Sequence, residues 1–135
     1  MPALLILENA EESEKHFSIP GVGLLGIVNK HGKMIECWGK KDLKLSKNKK
    51  DMFLMQIALC NSMQCDFNEE FGAVDFCVTQ REKTKFIFFP LSKENIALAT
   101  IDKKTNYKAI VDRIKQVYAT HICNQNFNGG GFFQK

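Results

Sequence analysis

The spacing of apolar positions changes repeatedly along the chain, and each change marks a new element. Between residues 4 and 17, Leu4, Leu7, Ala10 and Phe17 share one helical stripe with Glu11, Glu12 and Glu14 outside it, which predicts a first helix. Two runs rich in apolar and β-branched residues follow at 23–29 and 33–38, and the break from Asn29 to Gly32 between them predicts a hairpin. The segment DMFLMQIALCNSMQCDF, residues 51–67, lacks glycine, proline and β-alternation, so it reads as a long helix. After Gly72, the runs AVDFCVTQ, KFIFFPL and NIALATI read as three strands of a meander, separated by REKT and SKE. NYKAIVDRIKQVYATHI closes the pattern, with Tyr107, Ile110, Val111, Ile114, Val117 and Tyr118 at helical spacing. The predicted order is α-β-β-α-β-β-β-α.

The distribution of apolar residues within these elements says more than their order. In the long helix, Phe53, Ile57, Cys60 and Met63 or Phe67 are expected on one side, with Met52, Met55, Ala58 and Leu59 occupying much of the other. A helix that is apolar nearly all round is expected to be buried on two faces. In a chain this small, a second subunit is expected to supply the second cover; the bland alternative is irregular packing of the methionines under the chain's own loops. AVDFCVTQ alternates as an edge strand does, opposing Val74, Phe76 and Val78 to Asp75, Cys77 and Thr79. The two runs after it are apolar on both faces and are expected at the centre of the sheet.

Length and composition narrow the class. With 135 residues, one domain is expected, spanning 1–122 and followed by a Gly- and Asn-rich tail, 123–135, that is expected to be mobile. Phe132 and Phe133 in that tail read more simply as part of a frayed end than as a docking pair. An apolar share of 44% with 25% charged residues argues against wholesale disorder. No apolar run approaches the roughly 20 residues that a bilayer-spanning helix needs. PALLIL near the start lacks the basic flank and cleavage site of a secretory signal, so a cytoplasmic location is expected and no membrane partner.

Candidate chemistry is sparse. GVGLLG, residues 21–26, fits the G-x-G-x-x-G spacing of dinucleotide-binding turns, and Asp42 falls near the position of a ribose-binding acid. However, a charged segment ending at Pro20 precedes it and a hairpin follows, so the strand and helix that give the motif its mechanism are missing. The glycines are better placed at the entrance to and inside a strand. Five cysteines, at 37, 60, 65, 77 and 123, form no C-x-x-C pair, and Cys60 and Cys77 in apolar stretches read as small hydrophobes. His16, His31 and His121 have no evident partner, so neither catalysis nor a metal or cofactor is expected. Asp66, Glu69 and Glu70 read as a solvated helix end, and neither Arg81 nor Arg113 is expected to serve as a catalytic finger. The net charge of +4 is concentrated in the lysines of KKDLKLSKNKK, residues 40–50; with two arginines in the chain and only Trp38 flanking the run, nucleic acid is an unfavoured partner.

The opening IPGVGLLGIVNKHGKMI, the long helix ending near EEFG, the strand AVDFCVTQ and the meander FIFFPLSKENIALATI into an amphipathic helix together resemble the roadblock superfamily over about residues 4–120. These are small domains related to dynein roadblock light chains and to bacterial and archaeal regulators of small GTPases; the likeness is strongest to single-domain archaeal members. The resemblance implies an α+β fold with a five-stranded antiparallel sheet in order 2-1-5-4-3, sandwiched by helices, an architecture that longin and profilin domains share in related form. It also implies a homodimer in which third strands pair edge to edge and second helices pack together, carried here by Met52, Met55, Leu59, Met63, Val74, Phe76 and Val78. On this reading the chain is a non-enzymatic scaffold or regulator that binds a small GTPase or another signalling partner. The alternative is a profilin- or PAS-like sensory module holding an apolar small molecule near Trp38, Phe86 and Phe88.

Overall fold

The computed structural model describes residues 19–39 and 43–129, the stretch 121–129 by its backbone alone. The first helix expected near 4–17, the lysines at 40 and 41 and the last six residues, 130–135, lie outside it.

Strands β1 (Val22–Asn29) and β2 (Met34–Gly39) form the expected hairpin. Its turn is prepared by the sequence: Asn29 Oδ1 accepts from the amides of His31 at 2.9 Å and Lys33 at 3.0 Å. Gly32 sits at a φ of +81°, in the region that side chains disfavour, and a Cβ there would stand 2.9 Å from the Met55 Cα. The missing side chain thus lets the turn lie directly against the next helix.

That helix, α1 (Lys47–Cys65), starts at Lys47 rather than at the expected Asp51. The reason is Ser46, whose hydroxyl accepts from the Lys49 amide at 3.3 Å and caps the first turn. Lysine is a good helix former once a cap is in place, so the basic run splits between connection and helix. A single turn, α2 (Asn68–Phe71), ends at Gly72, where φ is +88°.

Strands β3 (Cys77–Gln80), β4 (Lys85–Pro90) and β5 (Asn95–Ile101) make the meander, and α3 (Tyr107–Gly129) follows. Only CVTQ of the expected AVDFCVTQ is paired. The register sets Cys77 opposite Phe88 and would bring Asp75 opposite Pro90, which has no N–H with which to continue a ladder. α3 runs to Gly129, so the expected tail is helical over its first part and the expected boundary at 122 falls inside the helix.

The sheet is antiparallel throughout, in the order β2-β1-β5-β4-β3. Its two faces bury different side chains. Leu25, Ile27, Ile87, Phe89, Ala97, Ala99 and Ile101 meet Ile110, Val111, Ile114 and Tyr118 of α3, whereas Val28, Phe88, Ile96 and Leu98 meet Leu54, Ile57 and Ala58 of α1. Alternate residues of β4 and β5 thus serve opposite cores, which is why both runs are apolar throughout. Lys85, buried at the end of β4, donates to the Thr105 carbonyl at 2.8 Å and lies 5.7 Å from the Tyr107 ring centre, pinning the loop that feeds α3.

Candidate interaction surface

Helix α1 presents two apolar stripes, rotated from the expected assignment. Leu54, Ile57 and Ala58 are 3%, 6% and 4% exposed and face the sheet. Met52, Met55, Leu59 and Met63 are 55%, 41%, 54% and 64% exposed and form a second stripe pointing away from it. Two corrections follow: Ala58 belongs to the inner stripe, while Met63 and Phe67, the latter 55% exposed, do not. Phe53 is half-buried on the flank, its ring 4.9 Å from that of Phe86, and Cys60 is exposed rather than packed as a small hydrophobe.

The third strand contributes differently from its helix neighbour. Phe76 and Val78 pack on the α3 side of the sheet, opposite to α1. The Phe76 ring lies 6.1 Å from Tyr107, and the Lys115 ammonium, ion-paired with Asp75, sits 5.8 Å from Phe76 and 5.5 Å from Phe89. Val74 is half-buried ahead of the strand. Of the seven residues expected at an interface, the structure therefore gathers the four on α1 and places the Phe76 and Val78 side chains within the chain's own packing. What β3 leaves open is its backbone edge, since among the described residues it pairs with β4 alone.

A groove runs along the α1 side near this edge. One recess of about 360 Å³ is lined by Leu43, Leu45, Lys49, Met52, Phe53, Gln56, Arg81 and Phe86. A second, of about 460 Å³, follows the β3–β4 turn from Thr79 to Thr84, and a third, of about 240 Å³, includes Lys44, Lys83 and Asp102; Phe86 lines all three. Two local rules are broken here. Lys44 takes a φ of +59°, a left-handed conformation that costs a non-glycine residue about 1 kcal/mol or more. The first turn of α1 holds Lys47, Lys49 and Lys50 and no acid, although cations at a helix N-terminus are disfavoured by about 0.3–1 kcal/mol each. Reading the basic run as a solvated loop missed this groove; the signal was the alternation of Leu43 and Leu45 with Lys44.

Other candidates do not come together. Gly21 precedes β1 and Gly23 and Gly26 lie within it, so no helix follows the glycines. Trp38 is buried in the α3 core and Phe88 in the α1 core, with the sheet between them, so no single cavity holds an apolar ligand against both and Phe86. Burial raises the Cys77 thiol above its ordinary range, with the nearby Cys60 and Cys65 adding to the shift, which keeps it protonated and a poor nucleophile. Asp66, Glu69, Glu70, Arg81 and Arg113 are all exposed, and His31 is a turn residue. Among the described residues, no three His, Cys, Asp or Glu side chains are grouped to hold a metal ion, and no helix is long and apolar enough to cross a membrane.

The fold is that of Roadblock/LC7 domains. A Roadblock/LC7 domain from Streptomyces avermitilis superimposes with a TM-score of 0.61 at 10% identity, covering 77% of this chain and 87% of its own. The gliding protein MglB from Thermus thermophilus gives 0.63 at 12% identity over 86% and 87%, and MglB from Myxococcus xanthus 0.61 at 12% over 78% and 85%. No family model and no curated protein matches the sequence.

Proposed function

We propose that the chain is a non-enzymatic homodimeric platform that regulates or scaffolds a small GTPase or another signalling protein. The observation that carries this reading is the stripe of Met52, Met55, Leu59 and Met63, exposed on α1 directly opposite the residues that the sheet covers. An apolar stripe of this kind on a soluble domain marks an interaction site. Among the described residues β3 also has an unpaired backbone edge, so a twofold contact that used both features would pair helix with helix and strand with strand. A relative in fold, MglB, has been seen in a tetrameric arrangement, with a TM-score of 0.58 at 12% identity over 86% of this chain and 84% of that one, which supports self-association as a property of the fold.

The partner half of the proposal is tested by titrating purified small GTPases of the same genome, loaded with GDP or with a GTP analogue, into the chain in a calorimeter. Saturable binding to one of them, with a preference between the two nucleotide states, is expected. Absence of binding to any GTPase in either state would remove the GTPase and leave only the dimer.

A further inference from the structure

We propose that the groove around Phe86 is a docking site for an acidic, extended segment of a partner protein that carries apolar side chains between its carboxylates. The inference deepens the platform reading and rests on it only for there being a protein partner.

Three adjoining recesses share Phe86, and each pair of them shares Leu43, Arg81, or Lys83 and Thr84 as well, so they form one open depression around that ring rather than an enclosed cavity. Its floor is apolar, with Phe53 and Phe86 packed ring to ring. Among the described residues, Lys44, Lys49, Arg81 and Lys83 stand around that floor, against Glu82 and Asp102 as the acids lining the recesses. Charge complementarity therefore selects an anionic occupant, and the floor selects one with apolar anchors.

The backbone supports the same conclusion. Lys49 stands in the first turn of α1, where the helix dipole opposes a cation, and Lys44 adopts a left-handed conformation in the loop before it; of the other first-turn lysines, Lys47 is paired with Asp51. An anion seated at this rim would be favoured by both Lys44 and Lys49. Nucleic acid fits less well. Phe53 and Phe86 lie tilted against each other and are half-buried, which leaves less ring face for a base to stack on.

The test is fluorescence anisotropy with a fluorescein-labelled peptide in which one Phe and two Leu alternate with Asp and Glu. It is run on the native chain, on Lys49→Glu/Arg81→Glu, whose side chains are exposed so that folding survives, and on Leu59→Glu, which breaks the α1 stripe. The expected result is saturable binding by the native chain and by Leu59→Glu. The double variant should bind at least about tenfold more weakly, and replacing the Phe and Leu of the peptide by Ser should have a comparable effect. Equal affinity for the double variant, equal affinity for the Ser peptide, or tighter binding of an oligothymidine than of the peptide would each overturn the proposal. Sedimentation of the same samples separates the two readings. A monomeric native chain that binds the peptide leaves the groove and removes the dimer; a dimer that ignores the peptide does the reverse.

Discussion

The phenol of Tyr118, on α3, reaches between β1 and β5 and accepts a hydrogen bond from the Gly26 amide at 2.9 Å. Its own proton is within reach of the Gly26 and Leu98 carbonyls, at 2.7 and 2.9 Å, and these two residues face each other across the strand pair. The side chain is fully buried, edge-on to Trp38 and Phe89. One hydroxyl thus ties the last helix to the two strands that carry the centre of the sheet.

Replacing it should be costly out of proportion to one oxygen. Tyr118→Phe leaves the Gly26 amide without this acceptor, and a buried unsatisfied group costs about 1–3 kcal/mol. Chemical denaturation should show that loss as a lower midpoint with an unchanged slope; an unchanged midpoint would mean that the amide finds another partner.

The same phenol gives the fold an alkaline limit. Burial pushes its pKa well above the ordinary value, with the hydrogen bonds to Gly26 and Leu98 opposing the shift only in part. Ionisation is therefore easier in the unfolded chain, so this contribution is complete below the ordinary phenol pKa of about 10 and falls as pH rises beyond it. Stability of the native chain measured against pH should decline more steeply above that point than stability of Tyr118→Phe. Parallel curves would contradict the assignment.

Gly32→Ala should be among the most damaging single-atom additions. The new Cβ would meet backbone atoms of Met55 at a positive φ, so neither a rotamer change nor a small shift relieves it. A loss of about 1–3 kcal/mol is expected, read as a fall in melting temperature. A variant as stable as the native chain would show that the hairpin turn does not rest on α1.

Lys85→Met probes the loop before α3. It removes the only hydrogen bond described to the Thr105 carbonyl while keeping most of the apolar stem. Faster amide exchange across residues 102–106, with the centre of the sheet unchanged, is the expected signature; unchanged exchange there would mean that the loop is held by other contacts.

Much of the fold was legible in the chain because the period of its apolar positions carries it. NIALATI is paired over its whole predicted length, and the two runs apolar on both faces are inner strands of the sheet, whereas the full strand order was implied by the roadblock resemblance and not by the pattern. What pattern could not reach depends on three-dimensional partners. Helical phase in α1 was misjudged because Met52, Met55, Leu59 and Met63 are as apolar as Leu54 and Ile57, so hydropathy alone does not say which stripe meets the sheet. The length of β3 turns on Pro90 in a neighbouring strand, and the groove turns on Arg81 and Lys49, distant in sequence, lining one recess. The Tyr118 hydroxyl was counted only as part of an apolar helix face, since nothing in its local sequence announces a partner 92 residues distant.

The central claim is that the outer stripe of α1 is covered by a second copy. Sedimentation equilibrium at micromolar concentration, on the native chain and on Leu59→Glu, tests it most directly. Leu59 is 54% exposed in the single chain, so a charge there leaves the fold intact but would be buried if two helices pack. The account predicts a native mass of twice the 15.4 kDa chain and a folded monomer for the variant. A native monomer, or a variant that remains dimeric, would contradict it.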